Sequence, residues 1–243
     1  MRTILLIILF SLLLPAYLIF AQSGTTTAQG NEAAGGAVTS EAPSAAERVS
    51  AMQNYRRGRD MESRNRMSEA EALYNEAVRI CQDEVSRNAA TRETYTVLTW
   101  TLQRQNKYAD VITWGERGLR LYADEYRIVE TLGEAYFYLG DHNRSLSFMQ
   151  RYTNAVPQGE RSSVAYFFIG EIFRLRQMYR HADIAYTTAV SLEPGSALWW
   201  YRLATVREAA GDRDPAIAAY RRALQINPNY QEAINGLARI QAQ

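Results

Sequence analysis

A pattern near the end of this 243-residue chain recurs every 34 residues and restricts the fold to an array of similar units. Aligning Pro194 with Pro228 places Tyr186 on Tyr220, again 34 residues apart. The other positions that agree under this alignment are Ala182 with Ala216, Ala189 with Ala223, Ile169 with Leu203 and Gly170 with Ala204. A period of this length is the signature of a repeat architecture, because each unit is one motif that buries its apolar face only by stacking on its neighbours.

These positions resemble the tetratricopeptide repeat, in which a bulky, a leucine-like and a small residue open each unit. A small, an aromatic, another small residue and a proline close it. The resemblance implies an all-α, right-handed α-solenoid of helix-turn-helix repeats with a C-terminal capping helix. The predicted repeat domain covers residues 45–243, with repeats at about 51–84, 92–125, 126–159, 163–196 and 197–230 and a capping helix at 231–243. We number these repeats units 1 to 5.

The first three units depart from the pattern. Gly115 and Gly118 stand in unit 2 where an aromatic residue and an alanine are expected, and Met149 replaces the aromatic residue of unit 3. Seven extra residues, 85–91, separate units 1 and 2, and three, 160–162, separate units 3 and 4. We interpret the alanines, rings and prolines of the motif as packing residues, since small residues let two helices approach and proline cannot continue a helix.

The amino-terminal residues 1–21 predict a secretory signal peptide. Arg2 is followed by an apolar run from Ile4 to Phe20, and Ala21 offers a cleavage context. The run is also close to the shortest that spans a bilayer, so an uncleaved membrane anchor is the alternative. Residues 22–44 contain no aromatic side chain and predict a flexible linker. We therefore expect an exported protein, periplasmic or envelope-associated in a bacterium.

Composition and motifs argue against several classes of function. Lys and Arg number 27 against 26 Asp and Glu, without the basic excess typical of a nucleic-acid binder. Cys81 is the sole cysteine, so no intrachain disulfide or cysteine-cluster metal site is possible, and we expect a buried apolar residue there. The chain has no phosphate-binding loop, zinc-protease motif or nucleophile elbow. We expect no cofactor, no metal and no enzymatic activity.

The candidate binding site is the concave groove that the resemblance places along the first helix of each unit. Aromatic and arginine side chains, which serve as anchors in binding hot spots, alternate there with glutamates. The predicted groove residues are Tyr55, Arg59, Trp100, Arg104, Glu134, Phe137, Phe167, Glu171, Arg174 and Tyr201. Some of these rings are alternatively part of the core, and one of the adjacent Phe137 and Tyr138 is expected to pack against a neighbouring unit. The glutamates Glu130, Glu134 and Glu171 predict an ion-pair network with nearby arginines rather than an acid/base pair.

Three functions are compatible with these features. The first is an exported, non-enzymatic interaction module or scaffold that binds a peptide or partner protein in its groove, in envelope assembly. The second keeps the amino-terminal helix as a membrane anchor of an assembly scaffold. The third is a small-ligand-binding accessory subunit of a transport system.

Overall fold

The computed structural model of the protein describes residues 45–242, with side chains from residue 50 onward. The predicted signal segment 1–21, the linker 22–44 and Gln243 lie outside the described residues. The described part contains eleven α-helices and no strand. They are α1 (Ala45–Ser63), α2 (Met67–Ser86), α3 (Arg92–Arg104), α4 (Tyr108–Leu121), α5 (Tyr126–Tyr138), α6 (His142–Ala155), α7 (Ser162–Leu175), α8 (Tyr179–Leu192), α9 (Ala197–Ala209), α10 (Arg213–Ile226) and α11 (Gln231–Gln241).

The helices form five hairpins followed by one closing helix. Each helix packs on the next along the chain. First helices of different units also touch, α1 with α3, α3 with α5, α5 with α7 and α9 with α11. Within residues 45–242, successive second helices make no comparable contact. The first helices therefore line an inner, concave wall and the second helices an outer one. This confirms the predicted all-α solenoid, with α11 packing on α9 and α10.

The turn inside every hairpin uses one residue with a left-handed backbone, always the fifteenth of its predicted unit. Gly140 and Gly211 adopt φ values of 82° and 84°, which glycine tolerates without strain. Units 1, 2 and 4 place a larger residue there, namely Asn65, Asn106 and Gln177, with φ between 56° and 59°. Asparagine visits this region more readily than most residues do, so Gln177 is the least suited of the five.

A ring of a second helix packs against a glycine at three places, two of them inside a hairpin. A Cβ atom added to Gly58 would lie 2.5 Å from the ring of Tyr74, and one on Gly170 would lie 2.6 Å from the ring of Tyr186. Tyr220 instead meets Gly236 of the closing helix, where the corresponding distance is 2.5 Å. The three rings are buried, so these glycines provide the space that the rings fill.

Unit 2 reaches the same packing with large and small residues exchanged. Gly115 lies against the side chain of Leu132, and Gly118 lies against Tyr95. Both large side chains are buried and come from first helices, α5 and α3. The missing ring of this degenerate unit is therefore replaced by bulk from the opposite helices.

The extra residues between units appear in two forms. Those after unit 1 mainly lengthen α2 to 20 residues, whereas α4, α6, α8 and α10 have 14 each. Those after unit 3 fall in the loop 156–161 and the start of α7.

Cys81 is fully buried, as expected for a small apolar residue. Across residues 45–242, no helix combines the length and apolar character needed for a bilayer crossing.

Candidate functional site

All ten predicted groove residues lie on first helices. Three of them are buried: Tyr55 is 9% exposed, Glu134 7% and Glu171 6%. These three form the floor of the concave wall and offer little contact area. The side chains that remain half-buried or exposed are Arg59, Trp100, Arg104, Phe137, Phe167, Arg174 and Tyr201.

The amino-terminal part of the wall is a layer of rings and one guanidinium group. The rings of Tyr55 and Trp100 have centroids 5.7 Å apart. The guanidinium carbon of Arg127 lies 5.6 Å from the Trp100 ring centroid, close enough for a cation–π contact. Trp100 is half-buried between units 1 and 3, so it faces the concave wall and not the centre of its own hairpin.

Glu62 and Arg104 link units 1 and 2 on this wall. Arg104 Nε donates to Glu62 Oε2 over 3.1 Å, and the Tyr74 hydroxyl donates to the same oxygen over 2.7 Å. Burial alone would raise the pKa of Glu62, but the hydrogen bonds from Arg104 and Tyr74 outweigh it and hold the pKa below its usual value. Glu62 is therefore a charged, fully engaged carboxylate.

The centre of the wall holds two buried carboxylates, Glu130 and Glu134, on successive turns of α5. Arg161 Nη2 lies 3.0 Å from Glu130 Oε1 and also pairs with Glu134. Gln103 of α3 donates to the other oxygen of Glu134. Arg161 belongs to the loop 156–161 and caps α7. One guanidinium thus serves two carboxylates.

Two carboxylates and one guanidinium group lie at this centre, and the pKa of Glu130 is raised. Burial raises the pKa of Glu130 well above its usual value, and the neighbouring Glu134 raises it further, while Arg161 acts in the opposite direction. Glu130 therefore releases its proton less readily than an exposed glutamate, because two adjacent buried carboxylates share one cation.

The carboxy-terminal part of the wall is again aromatic. Phe167 stacks on Trp199 with centroids 5.2 Å apart and planes at 16°. Tyr201 meets Tyr230 edge-on at 5.2 Å. Between these pairs, the buried carboxylate of Glu171 accepts from Arg174 and the Tyr186 hydroxyl and pairs with Arg202.

The adjacent rings Phe137 and Tyr138 have different surroundings. Phe137 packs against Phe168 of the next unit, with centroids 5.0 Å apart. Tyr138 is 54% exposed and stacks on Tyr108 at 4.7 Å. Both rings therefore pack against neighbouring units, since Tyr138 stacks on Tyr108 of unit 2 and also meets Phe168 of unit 4, and Tyr138 keeps the larger exposed fraction.

Each first helix is linked to the next first helix by a guanidinium–carboxylate pair, if the capping residue before a helix is counted as part of it. Most of the carboxylates are buried or half-buried, while the arginines are more exposed. The pairs are Arg104–Glu62, Arg92–Glu125, Arg161–Glu130, Arg202–Glu171 and Arg239–Glu208. This confirms the predicted ion-pair network and shows that the wall neutralises most of its own charge.

Several residues of this surface were not predicted. Trp199, Tyr108 and Arg202 lie at positions that the repeat pattern does not mark for the groove. Arg161 could have been found, because it stands in the three-residue insertion between units 3 and 4.

Within residues 45–242, no three histidine, cysteine or acidic side chains are placed to hold a metal ion. The chemistry the wall offers is contact with aromatic rings and hydrogen bonding to guanidinium groups.

Comparison with known proteins supports the repeat assignment. The family model of the tetratricopeptide repeat matches residues 197–230, which is unit 5. No curated protein matches the chain at a significant level.

Several solved structures share the fold. A MamA crystal structure superposes with a TM-score of 0.58 at 17% identity, covering 75% of this chain and 94% of MamA. MamA from Desulfovibrio magneticus RS-1 gives 0.59 at 14% identity, covering 74% and 97%. YrrB, described as a TPR protein with an unusual peptide-binding site, gives 0.53 at 18% identity, covering 76% and 90%. Residues 197–230 thus match the tetratricopeptide repeat, and the helical hairpins of residues 45–242 share the fold of these solved structures.

Proposed function

We propose that the chain is an exported, non-enzymatic interaction module that binds a peptide or partner protein along its concave wall, in envelope assembly of a bacterium. The observation that carries the proposal is the series of half-buried rings on first helices, Trp100, Phe167 and Tyr201. Partly exposed rings held in place by neighbouring side chains bind with little loss of conformational entropy, as binding hot spots do.

The electrostatics of the wall favour recognition by shape and ring contacts. Since the wall's glutamates are paired with arginines, a ligand gains little by bringing an isolated charge. We therefore expect affinity to depend only weakly on moderate changes of ionic strength. The description of YrrB as a peptide-binding repeat protein shows that such a fold can carry a peptide site.

Site-specific photocrosslinking in cells tests this proposal. A photoreactive residue replaces Tyr201 on the first helix of unit 5, and a matched control replaces Ile184, which is 68% exposed on α8 of the outer wall. We expect a discrete protein adduct from position 201 and none from 184. Equal capture at both positions, or none from 201, would refute the concave site. A co-purifying small molecule without any protein partner would instead favour the transport accessory subunit.

A membrane-anchored scaffold is the second candidate, favoured by the length of the apolar run from Ile4 to Phe20. Intact-mass measurement of the mature chain separates the two. Loss of residues 1–21 supports an exported, released module, whereas a full-length mass in the membrane fraction supports the anchor.

A further inference from the structure

A second surface lies away from the concave wall, at the edge where the intra-unit turns emerge. A cavity of about 610 Å³ opens there among residues of units 2, 3 and 4. Ile112 of α4, Leu139 after α5, Arg144 of α6 and Arg176 after α7 contribute to its walls. None of the ten predicted groove residues lines it.

Arg144 is held rigidly at this cavity. Its Nε donates to Asp141 Oδ2 over 2.6 Å, and one Nη donates to the Tyr136 hydroxyl over 3.2 Å. The guanidinium carbon also lies 4.4 Å from the centroid of the Tyr136 ring. The Tyr136 hydroxyl itself donates to Glu116, which contributes negative charge nearby without lining the cavity. Asp141 therefore neutralises the charge of Arg144, and the two hydrogen bonds orient its guanidinium group.

Arg176 is a cation without a carboxylate partner among residues 45–242. Its Nη2 donates to Asn143 Oδ1 over 2.7 Å and to the carbonyl oxygen of His142 over 3.4 Å, both neutral acceptors. Asp141 is the one carboxylate that lines the cavity, against the two guanidinium groups of Arg144 and Arg176. The lining thus carries one more positive than negative side chain, and Arg176 is the cation that no carboxylate of the lining compensates.

Two other features of the lining bear on the ligand. His142 Nδ1 is buried and has no hydrogen-bond partner in the described residues, which is uncommon for a buried polar atom. Leu139, 51% exposed, adds an aliphatic surface beside the polar groups, together with Ile112. A ligand that fits has an anionic group with hydrogen-bond capacity and an apolar group next to it.

We propose that this edge cavity binds an acidic side chain of a partner protein, aspartate or glutamate, whose neighbouring residue is aliphatic. The carboxylate accepts hydrogen bonds from Arg176 and from the free Nη2 of Arg144, and the aliphatic residue packs on Leu139 and Ile112. Guanidinium groups suit this role because their fork of donors matches a carboxylate. The site is independent of the concave wall, so the protein can contact two segments at once.

The test is a pair of peptides titrated into the isotope-labelled full-length protein and followed by NMR of backbone amides and arginine side chains. The peptides are acetyl-Gly-Leu-Glu-Leu-Gly-amide and the same sequence with Gln for Glu. We expect the Glu peptide to bind about tenfold more tightly, the contribution typical of hydrogen bonds to a charged group. The affected signals should be those of residues 139–144 and Arg176.

Variants then assign the preference to the cavity. Arg176→Gln should abolish the Glu-over-Gln preference without unfolding the chain, because Arg176 is exposed and bonds only neutral groups. Arg221→Gln, at an exposed arginine of α10 with no ion pair in the described residues, should leave it intact. Equal binding of both peptides, or an unchanged preference in Arg176→Gln, would overturn the proposal. Inorganic phosphate is titrated separately. If phosphate binds through Arg176 while neither peptide binds, the cavity is a site for free anions and the proposal is overturned.

Discussion

Replacing Gly170 by alanine should destabilise the protein, whereas the same change at Gly133 should not. The two glycines occupy the eighth position of units 4 and 3 and differ in what an added Cβ would meet. At Gly170 it would lie 2.6 Å from Cδ1 and Cε1 of Tyr186. At Gly133 it would lie 2.9 Å from Cε, 3.0 Å from Sδ and 3.1 Å from Cγ of Met149. A buried ring must shift as a whole, but the end of a methionine can turn aside.

The size of the difference follows from two opposing terms. Alanine inside a helix is favoured over glycine by about 1 kcal/mol, since glycine loses more backbone entropy on folding. Overpacking a filled core costs about 1–3 kcal/mol. The Tyr186 ring is fully buried and its hydroxyl is tied to Glu171, so the second term applies in full. With the penalty near its upper end, we expect Gly170→Ala to lose about 2 kcal/mol in the free energy of unfolding and Gly133→Ala to change it by less than about 0.5 kcal/mol.

Urea unfolding followed by circular dichroism measures both values, and a double-mutant cycle tests the cause. Tyr186→Phe removes the hydroxyl that fixes the ring, so the ring can move away from an alanine at position 170. The penalty of Gly170→Ala should therefore be smaller in the Tyr186→Phe background. If Gly133→Ala loses as much as Gly170→Ala, or if the cycle shows no coupling, the reasoning from ring rigidity is wrong.

Three further changes have defined outcomes. Gln177→Gly should raise the free energy of unfolding by about 0.5–1 kcal/mol in urea titrations, because Gln177 has a left-handed backbone at φ 58°. Glu130→Gln should become more stable relative to wild type as pH rises from 5 to 8. The raised pKa of Glu130 means that the folded chain holds this proton more tightly than the unfolded chain does. Wild-type stability therefore falls as pH climbs above the ordinary glutamate pKa of about 4.3. A difference that stays constant with pH would contradict this. Tyr220→Phe should lose about 1–2 kcal/mol, since the hydroxyl donates to Glu208 over 2.6 Å, and thermal melts of the two proteins would measure it.

The helical hairpins could be predicted from the sequence because their packing residues recur at a fixed period. Pro194, Tyr186 and Tyr220 mark a spacing that stacking requires, so the hairpins, their order and the closing helix follow. The degenerate unit 2 was harder, since Gly115 gives no sign that Leu132 of another helix occupies the space beside it. That compensation depends on contacts between units, which local spacing does not encode.

The candidate site was only partly predictable for the same reason. The helical face of Trp100, Phe167 and Tyr201 follows from the repeat register, and all three lie half-buried on first helices. The burial of Glu134 depends on Arg161, which reaches it from a loop 27 residues further along the chain. The edge cavity likewise combines residues of three units, and no single motif signals it.

The guanidinium–carboxylate pairs between first helices have a mechanical consequence. They join every consecutive two of the first helices and so act as ties along the inner side of the stack, while the Arg180–Asp212 pair also links α8 to the residue that caps α10 on the outer side. Since the arginines of these pairs are partly exposed, the pairs weaken as ionic strength rises. The curvature of the solenoid, and with it the width offered to a partner, should therefore relax in concentrated salt, and small-angle X-ray scattering would register this as an increase in the radius of gyration without loss of helix.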